Sequence, residues 1–310
     1  MSNKLIEAIK CPRKVLLAIS RPLESKGFFD SWSDEKWIKW RFWLRMGKFP
    51  NLDNPQTFNE KLQWLKLNDR NPLYSTLVDK HAVKEYVADK IGVEYIIPTL
   101  GVWNNFDEID FDRLPNQFVL KCTHDSGGVV VCKDKSKLDY TKAKNQLEDS
   151  LNTDYYLRTG REWPYKNVPR RIMAEQYMED SSTKELRDYK FFAFDGKVQF
   201  MYIASERQVE GEETKFDFYD ENFNHLPFMW GHPNSKKKIE KPVCFDKMIE
   251  LAEELAEGFS HVRIDFYEVD RQIYFGEYTF YTYSGMTPFT PKEWDRRFGD
   301  YIKLPTASKK

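Results

Sequence analysis

The chain has 310 residues, 41% of them hydrophobic and 16% aromatic, which is enough for one large domain or two to three small ones with a substantial core. Its 48 basic residues are balanced by 49 acidic ones, which argues against a nucleic-acid partner recruited by bulk charge. The four cysteines (Cys11, Cys122, Cys132, Cys244) lack CxxC or other metal-ligand spacing, and without a disulfide framework they point to a reducing, cytoplasmic compartment. Cys122 and Cys132 are placed to face each other across one hairpin. The longest early apolar run, 15–19, is too short for a membrane span or a signal-peptide core.

Residues 1–70 read as helical. Ser33 caps a helix with Asp34 and Glu35 in its first turn; Trp37, Trp40 and Leu44 share one face, and Gly47 stops it. Thr57-Phe58-Asn59-Glu60 fits a capping box. Five tryptophans and many Lys/Arg before residue 70 suit either a docking surface at a membrane face or a helical cap packed on the next domain. A helix over 79–92 follows, with Asp79 as its N-cap and Gly92 as its end. Lys80 in its first turn opposes the helix dipole and is a candidate ligand group. Short strands are expected at 95–97 and 100–103.

Residues 118–122 form a buried strand, 123–128 a polar loop and 129–132 the returning strand. Gly127 and Gly128 let backbone N–H groups close on phosphate oxygens, and Ser126 lies beside them. The loop is no P-loop, because a strand rather than a helix follows and GKS/GKT is absent. Lys121 inside an apolar strand requires an anion or a water path. His124 is a second candidate for phosphate or substrate contact. The basic-aromatic segment 155–171 suits an acidic substrate or a solvated loop. Glu175 stands alone in the strand 172–178, where a buried carboxylate can accept from a base amino group. Residues 188–194 and 197–203 form a hairpin about Asp195-Gly196, with Asp188 and Lys190 on one face. A polar excursion over 205–241, an amphipathic helix over 247–257, and a terminal helix opened by Pro291 complete the framework.

The most informative stretch is a second hairpin, with arms 262–267 and 273–279. Each arm carries one acid in an apolar and aromatic run, Asp265 and Glu277. Two carboxylates on adjacent strands repel unless a cation lies between them, and Mg²⁺ takes such oxygen ligands together with substrate phosphates. Arg263, two residues before Asp265, leaves the strand on the same face.

The order of these elements, and the wording of 118–128, 188–192, 263–267 and 275–280 together with 58–64 and 161–167, resembles the TupA-like ATP-grasp family over about residues 40–305. The resemblance implies an α+β ATP-grasp fold: two α+β subdomains whose antiparallel sheets sandwich ATP, preceded by an N-terminal helical region. It implies boundaries at 1–70, 71–117, 118–174 (the small subdomain with the glycine loop), 175–305 (the subdomain with the metal site) and a 306–310 tail. Lys121, and Lys80 before it, would meet nucleotide phosphates, with the loop at Ser126, Gly127 and Gly128. Glu175, Gln176, Tyr177 and Met178 would form the adenine hinge, with Lys190 also at the nucleotide. Asp265 and Glu277 would ligate Mg²⁺, and Arg263 would face the transferred phosphate. Many ATP-grasp ligases carry Asn two residues after the metal-binding Glu; Thr279 stands there, and a hydroxyl is a weaker Mg²⁺ ligand.

The activity implied is an ATP-dependent carboxylate–amine ligase working through an acyl-phosphate, with Arg263 and Lys190 covering the developing charge. Family members occur in bacterial surface-polysaccharide loci, so the resemblance points to an acidic sugar or polysaccharide precursor and an amine or amino acid as partners. A glycan kinase using His124 or Asp188 as base, and a glycosyltransferase using a nucleotide-sugar, are the competing expectations.

Overall fold

The computed structural model describes residues 12–181, 186–205 and 213–305. Cys11, the 306–310 tail and part of the 205–241 excursion lie outside the described residues. The chain divides into two compact units, one of Met1–Arg70, Tyr156–Trp163 and Tyr281–Lys310, the other of Asn71–Tyr155 and Pro164–Phe280.

The first unit contains helices α1 (Pro12–Ser25), α2 (Asp34–Met46), α3 (Phe58–Asn68) and, from the end of the chain, α8 (Glu293–Tyr301). Local chemistry sets their limits. The Ser33 side chain accepts from the Lys36 amide at the head of α2, and Gly47 closes it at φ 81°. Thr57 and Glu60 complete a reciprocal capping box at the head of α3. Phe29, Trp37, Ile38, Phe42 and Met286 form the core of this unit. Asn59 locks α8 onto α3 by donating its backbone N–H and its Nδ2 to Asp295 Oδ1, each at 2.9 Å. A Cβ at Gly299 would lie 2.4 Å from the Gln56 carbonyl oxygen, so the two helices approach closely only because residue 299 has no side chain.

Lys66 is fully buried on α3. It donates to Gln63 Oε1 at 3.0 Å, to the Gly160 carbonyl at 3.0 Å, and to the Ser284 carbonyl and Oγ at 2.8 and 2.6 Å. Burial lowers its pKa from the ordinary 10.5 to about 8, against the pull of Glu162 and Asp34. A lysine whose folded pKa is depressed costs most where it must fold protonated, below about pH 8, and that cost fades as pH rises towards 10.5. Wild-type stability therefore gains a rising component in that window, with a slope of up to about 1.4 kcal/mol per pH unit. In Lys66→Met this component is expected to vanish, as measured by denaturant titrations at pH 7, 9 and 10 on both proteins.

The second unit is built on two antiparallel sheets. The first has strand order β1-β4-β2-β3, with β1 (Thr99–Trp103), β2 (Phe118–Cys122), β3 (Val129–Cys132) and β4 (Ile172–Gln176). Its inner face packs Phe118, Leu120, Ile172 and Ala174 on Ala143 and Leu147 of α6 (Tyr140–Leu151). The second sheet has the order β9-β8-β5-β6-β7, with β5 (Asp188–Phe194), β6 (Lys197–Ser205), β7 (Lys215–Asp220), β8 (His261–Val269) and β9 (Gln272–Thr279). Helix α7 (Phe245–Leu255) covers it with Met248, Leu251, Ala252 and Leu255, all buried.

Register does the positioning work. In the β8–β9 pair a bulge between Phe275 and Glu277 leaves Gly276 over and brings Glu277 opposite Asp265. On the other side of β8, Lys190 of β5 pairs with Asp265. Residues directly opposite share a face, so Lys190, Asp265 and Glu277 form a row across three strands.

The local reading needs three corrections. Residues 93–95 form a 3₁₀ turn, and no strand spans 95–97. The expected 79–92 helix is shorter: α4 (Leu73–Val78) and α5 (Val83–Ile91) flank Asp79. The Asp79 carboxylate caps the turn between them by accepting from the amides of His81 and Ala82, and it also holds Arg171 at 2.8 Å. Cys132 pairs with Phe118, four residues from Cys122, so the two cysteines do not face each other, and both are free.

Candidate active site

A cavity of about 490 Å³ in the second unit is lined by residues of both sheets, of α5 and of the glycine loop. Ile96, Ile97, Val119, Val131, Tyr177, Met178, Leu186 and Phe275 give it apolar walls. Lys80, Lys84, Lys121, Lys190, Asp188, Glu277, Glu175 and Ser126 give it charge and polarity. Of the residues singled out in the sequence, Lys80, Lys121, Ser126, Glu175, Gln176, Tyr177, Met178, Asp188, Lys190 and Glu277 line this one cavity. Arg263 and Asp265 sit behind them, fully buried in the sheet.

Asp265 is not a wet strand end. Arg263 donates Nε to Oδ1 at 2.6 Å and Nη2 to Oδ2 at 2.7 Å, and Lys190 donates Nζ to Oδ2. Burial alone would raise this carboxyl; Arg263 and Lys190 outweigh it and hold it below the usual carboxylate range. Burial likewise works against the Lys190 ammonium and the Arg263 guanidinium, but Asp265 prevails and both pKa values rise. Arg263 Nη2 also donates to Glu277 Oε1 at 2.8 Å, and Thr279 Oγ1 lies 3.4 Å from the same oxygen. The Glu277 side chain is 41% exposed, against 1% for Asp265. The buried acid is therefore mostly committed to cations, and the exposed one faces the cavity.

Around the glycine loop, Lys80 donates its backbone N–H to the Thr123 carbonyl at 3.0 Å and its Nζ to the Asp125 carbonyl. Burial lowers the Lys80 pKa despite Glu277 and Asp125 nearby. Gly128 N donates to Asp125 Oδ2 at 3.0 Å, and Ser150 Oγ bonds the same oxygen. The two glycines differ. A Cβ at Gly127 would meet open space, whereas one at Gly128 would lie 2.4 Å from Ser150 Oγ and 3.0 Å from Cys122 Sγ. Gly128→Ala is expected to cost about 1–3 kcal/mol through overpacking, and Gly127→Ala to leave the unfolding midpoint nearly unchanged in urea denaturation of both variants.

Several expectations change here. Glu175 does not present an open carboxylate to a base. Lys84 holds Oε1 at 2.7 Å and Lys121 holds Oε2. Burial would raise the Glu175 pKa, but the two lysines together lower it. Glu175 thus fixes two cavity lysines in place. Past Gln176, whose N–H reaches the Pro98 carbonyl at 3.1 Å, the chain leaves the ladder and runs along the wall through Tyr177 and Met178. His124 does not line the cavity. Its ring is buried, with Nε2 3.2 Å from the Ser150 carbonyl, so it braces the loop from below. Thr279 also lies outside the lining. The basic-aromatic segment is spent on structure: Arg158 makes two bonds to Asp30, Arg161 donates to the Phe29 carbonyl, and Arg170 and Arg171 pair with Asp154 and Asp79.

Two lining residues escaped the sequence reading. Lys84 sits four residues after Lys80, one helical turn on, and that spacing is its signal. Tyr267 continues the Arg263, Asp265 face of β8 by the period of two. Burial pushes its phenol up to about 12.

The residues present were tested against a divalent cation and a nucleoside triphosphate. An ionised carboxylate offers about four lone-pair sites. Three N–H groups occupy Asp265, leaving one site, on Oδ1; Glu277 Oε2 accepts no hydrogen bond among the described residues. Two hard oxygens beside ammonium and guanidinium groups suit Mg²⁺ bound jointly with phosphates. The cations of Lys80, Lys121, Lys190 and Arg263 suit the phosphates, and the apolar walls suit a base.

Comparison with known proteins followed from this geometry. No curated protein matches the chain. Among solved structures it is similar to the ATP-grasp ligase PsnB complexed with minimal precursor (10% identity, TM-score 0.37, covering 67% of this chain and 54% of that one). It is also similar to D-alanine–D-alanine ligase from Bacillus anthracis complexed with ATP (15%, 0.37, 67% and 55%) and to an L-amino acid ligase from Bacillus licheniformis (11%, 0.43, 71% and 47%). The chain spans about half the length of these structures. The family model for TupA-like ATP-grasp proteins matches residues 60–303. The chain belongs to the TupA-like ATP-grasp family.

Proposed function

We propose that this protein is an ADP-forming carboxylate–amine ligase that uses MgATP. The observation that supports it most is the row Lys190–Asp265–Glu277 with Arg263 behind it, at a cavity that also collects Lys80 and Lys121. In the reaction a substrate carboxylate oxygen attacks the γ-phosphorus, the bond to the ADP oxygen breaks, and an acyl-phosphate forms. An amine then attacks the acyl carbon, phosphate leaves with the bonding pair, and the amine proton passes to solvent. Neither step calls for a protein nucleophile; both call for positioned positive charge. Arg263 and Lys190 supply it from a buried site, where it acts at low dielectric. Glu277 and Asp265 would hold Mg²⁺, which when bound neutralises phosphate charge. Lys80 and Lys121 would orient the phosphates, Ser126, Gly127 and Gly128 would close over them, and the wall from Glu175 through Gln176, Tyr177 and Met178 would seat the base. Asp188, 3.4 Å from the Lys190 ammonium, would set that lysine's position.

The carboxylate substrate we propose is a uronic-acid-type sugar of a cell-surface polysaccharide precursor, and the amine an amino acid. Support for this comes from the family alone. The test is acceptor-dependent release of free phosphate from ATP in the presence of candidate uronic acids and amino acids. Phosphate release only when both partners are present is expected. Phosphorylated sugar without free phosphate would mark a kinase instead.

A further inference from the structure

We propose that α1 and its flanks form a docking face for an anionic lipid surface. Helix α1 carries two parallel stripes. Arg13, Leu17, Ser20 and Glu24, spaced i, i+4, i+7, i+11, face α2. Arg13 Nη1 donates to the Leu44 carbonyl at 2.8 Å, Ser20 Oγ accepts from Arg41 at 2.9 Å, and Glu24 pairs with Arg41 at 2.8 Å. The neighbouring stripe, one residue earlier, is Pro12, Leu16, Ile19 and Leu23. Leu16 is 47% and Ile19 53% exposed. Two further exposed aromatics lie nearby in the chain, Phe28 at 65% just beyond α1 and Phe49 at 63% just beyond α2. Among the described residues these four are the exposed large hydrophobics of the first unit.

Charge names the occupant. Between residues 12 and 49 there are nine Lys/Arg and four Asp/Glu, in a chain whose formal net charge is −1. The acids of this stretch are engaged internally: Glu24 with Arg41, Asp30 with Arg158, Asp34 with the Tyr156 hydroxyl, and Glu35 with Lys39 at 2.5 Å. Lys14, Arg21 and Lys26 are exposed. An exposed apolar stripe with basic flanks and no unengaged acid matches a helix lying in the headgroup region of an anionic bilayer. A second copy of the chain would bring the same cations face to face, so lipid is favoured over self-association. The inference stands apart from the ligase reading, because the cavity belongs to the other unit.

The test is co-sedimentation of the full chain with vesicles of phosphatidylcholine alone and of equimolar phosphatidylcholine and phosphatidylglycerol. Binding to the anionic vesicles only, weakening as salt rises, is expected. Arg21→Glu/Lys26→Glu should lower the partition coefficient roughly five-fold or more per site. Leu16→Asp/Ile19→Asp should lower it on the order of ten-fold or more with an unchanged melting temperature, because both side chains are already exposed. Equal sedimentation with both vesicle types, or undiminished binding by both double variants, would overturn the proposal. So would vesicle-independent dimerisation in analytical ultracentrifugation that Leu16→Asp/Ile19→Asp abolishes.

Discussion

Asp265→Asn is expected to lower the unfolding free energy by about 3–5 kcal/mol, the range for breaking a buried ion pair by removing one partner, and to abolish the Mg²⁺-dependent part of nucleotide binding. The stability loss follows from the contacts. Arg263 and Lys190 are both buried, and with the charge of Asp265 gone only Glu277 faces them, through Arg263 alone. The pH sign is fixed by the direction of the shift. A carboxyl held below its unfolded pKa contributes stability that is present above the unfolded value and is lost as pH falls through the folded one. Wild type should therefore lose this stability in acid, and Asp265→Asn should show a flatter acid limb. Glu277→Gln separates the two roles. Its side chain is half-exposed, so stability should change by less than about 1 kcal/mol, while the Mg²⁺ dependence should again be lost. Urea denaturation and calorimetric ATP titrations with and without Mg²⁺ check both variants. An Asp265→Asn protein as stable as wild type would contradict the burial argument.

Glu175→Leu alone should be more damaging than Glu175→Leu combined with Lys84→Met. The single change leaves Lys84 and Lys121 beside each other with no counter-charge, at a cost of about 3–5 kcal/mol. Replacing the Glu175–Lys84 pair together removes one of the stranded cations and substitutes apolar volume, so the double variant should recover a large part of that loss. A double-mutant cycle by urea denaturation measures the coupling. Additive effects within about 0.5 kcal/mol would show that Glu175 and Lys84 do not act as a unit.

Much of this site was legible in the sequence because the relevant signals are local and periodic. A charged residue inside an apolar strand declares itself: Lys121, Glu175, Lys190, Asp265 and Glu277 were each visible that way, and all except buried Asp265 line the cavity. Caps and turn glycines located α2, α3 and the 195–196 turn for the same reason. What the sequence did not disclose depends on register and on partners far along the chain. The bulge at Gly276 sets Glu277 opposite Asp265, and no local pattern reveals it. Glu175 looked like a base-reading carboxylate because Lys84, nearly a hundred residues earlier, is placed beside it only by the packing of α5 on the sheet. His124 and Arg158 looked available because their partners, Ser150 and Asp30, lie on other elements.

The most direct test of the ATP-site reading is a thermal-shift panel on the wild-type protein: ATP, ADP, GTP and a UDP-sugar, each with and without Mg²⁺. ATP is expected to raise the melting temperature most, with Mg²⁺ enlarging the shift in wild type and not in Glu277→Gln. Stabilisation by the UDP-sugar in preference to ATP, or an ATP shift indifferent to Mg²⁺ and to Glu277, would contradict it.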